Sequence, residues 1–177
     1  MMAGDTKWRI LLVDDEEDFI RQIKDVEDKG NLLGGRGVPE IETLTSFADA
    51  RKRVPSGRFD LAILDLKDAG GDPVDAAAPG TGVLDEIMKT LFMPVVFYTA
   101  LPEAVQDKAT AFVRVVDKTS GVKGLCAAVA EVFATGLPAL IRHLEDEQRS
   151  YMWDFVGTHW PRFAEFKDHD LGFLLAI

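Results

Sequence analysis

The chain has 177 residues, a formal net charge of -10, 47% hydrophobic and 28% charged residues, and one cysteine. That length suits one domain plus a modest appendage with a proper core. The acidity opposes nucleic-acid binding by the chain alone, because phosphate contacts need a basic face. No apolar stretch approaches the roughly 18 residues of a membrane span. Lone Cys126 excludes an internal disulfide and reads as a packing residue. Met1-Met2-Ala3-Gly4-Asp5 has no basic region leading into an apolar one, so no secretion signal is expected and cytoplasm is the default location.

In chain order, the run Ile10-Leu11-Leu12-Val13 reads as a buried strand ending on Asp14-Asp15. Glu16 to Asp28 reads as a helix, with Phe19, Ile20, Ile23 and Val26 as its apolar stripe. Gly30, Gly34, Gly35, Gly37 and Pro39 form a loop. Glu40 to Ser46 is the expected second strand, and Ala48 to Val54 a short helix stopped by Pro55 and Gly57. Phe59 to Leu64 follows as a strand closed by Asp65, then a Gly/Ala/Pro-rich loop over Lys67 to Gly80 and a helix from about Gly82 to Phe92. Val95-Val96-Phe97-Tyr98 forms a fourth strand ending on Thr99, a short helix is expected near Glu103 to Thr110, and Phe112 to Val116 forms a fifth strand just before Lys118. A helix over about Val122 to Thr135 completes the alternation, and Gly136-Leu137-Pro138 marks a boundary. The pattern predicts an α/β, doubly wound sheet with helices on both faces.

Short apolar runs without alternation suit strands covered on both faces in a parallel sheet. Ligands of such sheets bind at the carboxyl ends of the strands. Asp14, Asp15, Asp65, Thr99 and Lys118 therefore converge on one crevice. A carboxylate can accept a phosphoryl group as a nucleophile, and the transfer needs charge neutralisation more than proton chemistry. Mg2+ takes one or two carboxylates plus phosphate and water. Asp15 and Asp65 suit that role, with Asp14 holding a metal-bound water. Three clustered carboxylates without a cation would repel and raise one another's pKa values. Lys118 is placed to pair with phosphoryl oxygens and the Thr99 hydroxyl to hydrogen-bond one of them.

The segments Ile10 to Glu16, Leu64-Asp65, Tyr98-Thr99-Ala100 and Val116-Asp117-Lys118 resemble the receiver domains of two-component response regulators over about Trp8 to Phe133. The resemblance implies the flavodoxin-like strand order 2-1-3-4-5 over a receiver of residues 1–136. It also implies Asp65 as phosphoacceptor, Asp14 and Asp15 as the metal pair for Mg2+, the Lys67 backbone carbonyl as a third protein ligand, and Thr99 and Lys118 as switch and phosphate-contacting residues. Its implied partners are a histidine kinase or phosphotransfer protein and a downstream effector. Such a chain assists its own modification but is not a metabolic enzyme. Two rivals are a pseudo-receiver working through unphosphorylated contacts and a haloacid-dehalogenase-like phosphatase. The latter needs a second Asp two residues after the nucleophile, where this chain has Lys67.

Three departures from the family pattern stand out. The stretch between Asp65 and Gly82 is long, which suggests a lid or partner-specificity loop and unsettles the Lys67 contact. Thr119 replaces the usual Pro after the Lys, which predicts a less rigid Lys118. Val115 occupies the position where many receivers carry a rotating Tyr or Phe, and Tyr98 reads as an ordinary strand residue.

Residues 137–177 form the expected helical extension, interrupted by Pro161. Tyr151, Trp153, Phe155, Trp160, Phe163, Phe166 and Phe173 place seven of the sixteen aromatics in the last 27 residues. Such density calls for a covering surface, either the receiver itself, a homodimer or a downstream region. Four Lys or Arg against seven Asp or Glu from Leu137 to Ile177 oppose a DNA-binding role. The abrupt apolar end reads as a fragment of a longer protein. His143 reads as a solvated helix residue, and His159 and His169 lack zinc-site neighbours.

Overall fold

The computed structural model describes residues 6–28, 32–66 and 79–163. The stretch after Leu66 that was expected to form a long loop, including Lys67, lies outside them, as do the chain's last residues. The chain divides into two compact units, with the break between Ala139 and Leu140.

The first unit is built on five strands: β1 (Lys7–Val13), β2 (Val38–Leu44), β3 (Leu61–Leu64), β4 (Val95–Thr99) and β5 (Val113–Asp117). All pair in parallel in the order β2-β1-β3-β4-β5. Side chains alternate across a strand, and the apolar runs split accordingly. Leu11, Val13, Ala62, Leu64, Val95 and Phe97 enter one core with α2 (Phe47–Arg53) and α3 (Pro79–Thr90). Ile10, Leu12, Leu61, Ile63, Val96 and Tyr98 enter the other with α1 (Glu17–Asp28) and α4 (Gly121–Ala134). Every residue of β3 and β4 is buried. Two-sided coverage is therefore why these strands are apolar throughout instead of alternating.

Local chemistry sets the helix ends. Ser46 caps α2 by accepting a hydrogen bond from the Asp49 N–H at 3.2 Å. The helix α1 opens with acidic Glu17 and Asp18, which suit its positive end. Gly136 adopts φ +74°, and its N–H bonds the Phe133 carbonyl at 3.2 Å, which ends α4.

Four expectations shift. Strand β2 starts at Val38 rather than Glu40, with the Val38 N–H held by the Thr6 carbonyl at 2.8 Å. Helix α3 starts at Pro79 rather than Gly82, because Pro is preorganised for a first helical position. The short helix near 103–110 is a 3-10 helix, Pro102–Lys108, in which Val105 is the one buried residue. A segment with so little apolar anchorage lacks the stripe that stabilises an α-helix. Beside it Leu84, Ile87, Met88, Phe92 and Phe112 contribute to an apolar groove of about 730 Å3.

The fourth shift concerns α5 (Leu137–Phe163), which continues through Pro161. Proline forfeits a helix hydrogen bond, and the described helix nonetheless runs to Phe163. In this helix Tyr151 and Phe155 stack with ring centroids 5.4 Å apart, and His143, Leu144, Tyr151 and Trp153 are exposed. No single helix among the described residues is long and apolar enough to cross a membrane.

Candidate functional site

Register builds the site. Val13 of β1 pairs with Leu64 of β3, so Asp14 and Asp65 leave adjacent strand ends at the same level. Thr99 of β4 pairs with Asp117 of β5, which places Lys118 one residue beyond the same edge. Ligand atoms of Asp14, Asp15 and Asp65 all lie within 4.8 Å of one another. Asp14 and Asp65 are only 1% and 7% exposed, a burial that charged groups rarely show without compensation.

Compensation comes from Lys118. Its Nζ donates to Asp65 Oδ2 at 2.9 Å and stands 3.0 Å from Asp14 Oδ2 and 3.8 Å from Glu16 Oε1. The other Asp65 oxygen accepts the Leu66 N–H at 2.6 Å, and Asp14 Oδ1 accepts the Glu16 N–H at 2.9 Å. The latter is an Asx turn that starts the path into α1. Burial raises the Asp14 pKa to about 6, and the nearby Asp65 charge adds to the rise. The Glu16 N–H and the Lys118 ammonium offset only part of this. Burial by itself would lower the Lys118 pKa, but the hydrogen bond to Asp65 and the attraction of the Asp14 carboxylate prevail and hold it above its ordinary value.

The remaining loops are shaped for this edge. Asp117 Oδ1 accepts the Thr119 N–H at 2.7 Å, which turns the chain at Lys118 and lowers the Asp117 pKa. Thr99 is buried, and its Oγ1 accepts the Leu101 N–H at 3.1 Å. On the far side of Asp65, Gly80 donates its N–H to the Leu66 carbonyl at 3.1 Å. A Cβ there would stand 2.0 Å from the Asp65 carbonyl oxygen, so only glycine lets α3 approach the strand end this closely.

The five side chains singled out from the sequence thus gather at one edge, while Lys67 lies outside the described residues. The sequence reading passed over two others, Phe19 and Tyr98. Their rings stack with centroids 4.9 Å apart, and Lys118 Nζ lies 5.5 Å and 5.9 Å from those centroids. The Tyr98 hydroxyl also donates to the Lys118 carbonyl at a long 3.4 Å. Helical and strand periodicity marked both residues as core, and nothing in that periodicity signals an ammonium between their rings and the carboxylates. The looser Lys118 expected from Thr119 therefore meets restraints on several sides. Val115 is only partly buried and packs against the core on the α2 and α3 side.

The donor set fits a hard divalent cation. It offers carboxylate oxygens alone, and buried Asp14 Oδ2 makes no hydrogen bond despite its ion pair with Lys118. Such an oxygen has lone pairs to give a cation of the Mg2+ type.

No protein-family model matches this chain, and no curated protein matches it. Solved structures do match. The response regulator TrrA of Thermotoga maritima, in complex with Mg2+ and BeF, is 27% identical, with a TM-score of 0.53 over 71% of this chain and 98% of that one. A response regulator of Hahella chejuensis is 24% identical, with a TM-score of 0.51 over 72% and 92%. The chemotaxis protein CheY4 of Vibrio cholerae is also 24% identical, with a TM-score of 0.51 over 72% and 99%. The first unit has the fold of response-regulator receiver domains, as the motifs led us to expect.

Proposed function

We propose that this chain is a receiver in two-component signalling that accepts a phosphoryl group on Asp65. The observation that carries the reading is the convergence of Lys118 Nζ on Asp65 and Asp14, with Asp15 alongside, at the carboxyl edge of a receiver-type sheet. The Mg2+ and BeF bound by the similar Thermotoga protein support a phosphoryl site of the same kind.

In the reaction, an Asp65 carboxylate oxygen forms a bond to phosphorus. The bond from phosphorus to the donor, a histidine nitrogen of a kinase or phosphotransfer protein, breaks. The electron pair of that bond leaves with the nitrogen. Bound Mg2+, held by Asp14, Asp15 and Asp65, would neutralise charge on the transferring oxygens. Lys118 exchanges its hold on Asp65 for a phosphoryl oxygen, and the Thr99 hydroxyl turns from Leu101 N–H toward another. The added charge at Asp65 then biases the surface presented to an effector. The chain turns over no metabolite in this scheme and works where kinases and effectors meet, in the cytoplasm. The extension of residues 137–177 serves as a partner or homodimer contact.

The test is incubation with Mg2+ and acetyl phosphate, followed by intact mass, with an Asp65→Asn control. One phosphoryl mass gained by the wild type and lost in the variant is the expected result. Silence with acetyl phosphate and with beryllofluoride would overturn it in favour of an interaction module that works unphosphorylated.

A further inference from the structure

Lys118 meets two kinds of neighbour. Carboxylates of Asp65 and Asp14 stand 2.9 Å and 3.0 Å from its Nζ. The stacked rings of Phe19 and Tyr98 lie 5.5 Å and 5.9 Å from it, within reach of cation–π attraction. The two kinds respond differently to chemistry at the site. Any cation that ligates the carboxylates, and any phosphoryl group on Asp65, changes how strongly those oxygens attract the ammonium. The pull of the rings stays constant. Both rings are buried, and they come from separate elements, α1 and β4. Their stacking, with planes 22° apart, gives a fixed shelf.

We infer that Phe19 and Tyr98 are positioning residues, an aromatic shelf that keeps the Lys118 ammonium in place while its carboxylate partners are engaged elsewhere. This rests on the receiver reading and deepens it, because the phosphoryl oxygen then meets a lysine already in position. The shelf acts on phosphoryl transfer through Lys118 and leaves the cation's carboxylate ligands untouched.

The test uses the full chain with Phe19→Leu, Tyr98→Leu and Tyr98→Phe. Calorimetry gives the Mg2+ affinity and intact mass gives the phosphorylation rate with acetyl phosphate. Each leucine variant is expected to phosphorylate about tenfold more slowly, with Mg2+ affinity within about twofold of wild type. The Tyr98→Phe variant keeps the ring and loses only the long hydrogen bond to the Lys118 carbonyl, so its rate should stay well above that of Tyr98→Leu. Adding Phe19→Leu to Lys118→Met should cost nothing further, since the lysine through which the ring acts is gone. Equal losses with and without Lys118, or parallel losses of rate and Mg2+ affinity, would overturn the shelf.

A second readout is independent of phosphorylation. The Lys118 ε-methylene protons, next to an Nζ that lies 5.5 Å and 5.9 Å from the two centroids, should resonate upfield by NMR, relax in either leucine variant and persist in Tyr98→Phe. Ordinary shifts in the wild type would remove the shelf even if Asp65 is phosphorylated. Upfield shifts in a chain that takes no phosphoryl group would keep the shelf and remove the phosphoacceptor reading.

Discussion

Two charged clusters occupy the same sheet and are built on opposite terms. Along β1 and β2, Lys7 pairs with Glu40 at 2.5 Å, and Arg53 reaches from α2 to grip Glu42 with bonds of 2.5 Å and 2.9 Å. Arg9 adds a 3.5 Å contact to Glu42. Each of those two carboxylates has at least one cation of its own, and solvent reaches every member. At the carboxyl edge one lysine faces Asp14, Glu16 and Asp65, with Asp15 alongside, and Asp14 and Asp65 are almost fully buried. The first cluster is complete as it stands, whereas the second carries unbalanced buried charge that a cation would relieve. Charge in excess of its local compensation marks a site more sharply than charge itself.

The comparison breaks most decisively if Lys118 proves dispensable. Lys118→Met leaves two buried carboxylates facing each other without their ammonium. We expect a stability loss of about 2–4 kcal/mol in chelator at pH 8, somewhat below the full cost of breaking a buried pair because solvent reaches the lysine. Equilibrium urea unfolding measures it, and saturating Mg2+ should recover part of the loss. A loss no greater than that of a surface lysine would mean that the carboxylates are adequately solvated without it.

A smaller effect of opposite sign is expected at Asp14. Its pKa in the fold, about 6, lies above the ordinary carboxylate value. The metal-free fold therefore favours the protonated acid. Its contribution to stability is fully present below about pH 4 and is lost as pH rises through about 6. Asp14→Asn keeps the shape without the charge. The variant should match wild type near pH 4 and exceed it by about 1–3 kcal/mol at pH 8 in chelator. Saturating Mg2+ should reverse the order, because only the wild type gains binding energy from the ion. A variant less stable than wild type at pH 8 would show that Asp14 is a structural residue.

Most of this fold and site was legible because their determinants are local. Unbroken apolar runs announced the buried parallel strands, and Asp14, Asp15, Asp65, Thr99 and Lys118 announced themselves by following those runs. The short helix after β4 was legible as a helix but not as a 3-10 helix, a form that follows from its single buried residue, Val105. Nor could the sequence show that Gly80 makes a close approach to Asp65. Phe19 and Tyr98 were hidden for another reason. A residue that packs in the core and also faces a lysine satisfies the same periodicity as one that only packs. Their second role depends on the α1–β4 contact, which no local window contains.

The smallest expected effect completes the comparison. Lys7 and Glu40 raise and lower each other's pKa through their hydrogen bond, yet both side chains stand in water. Solvent and salt screen such a pair, and two side chains lose freedom to make it. Lys7→Ala should leave the urea midpoint unchanged at physiological ionic strength and leave Mg2+ binding untouched. A clear drop in midpoint would mean that the complete cluster also stores structural energy. The contrast between the two clusters would then lie in burial alone and not in charge balance. An unchanged midpoint, beside a large loss for Lys118→Met, would assign the difference to burial together with a single lysine surrounded by more carboxylate than it can neutralise.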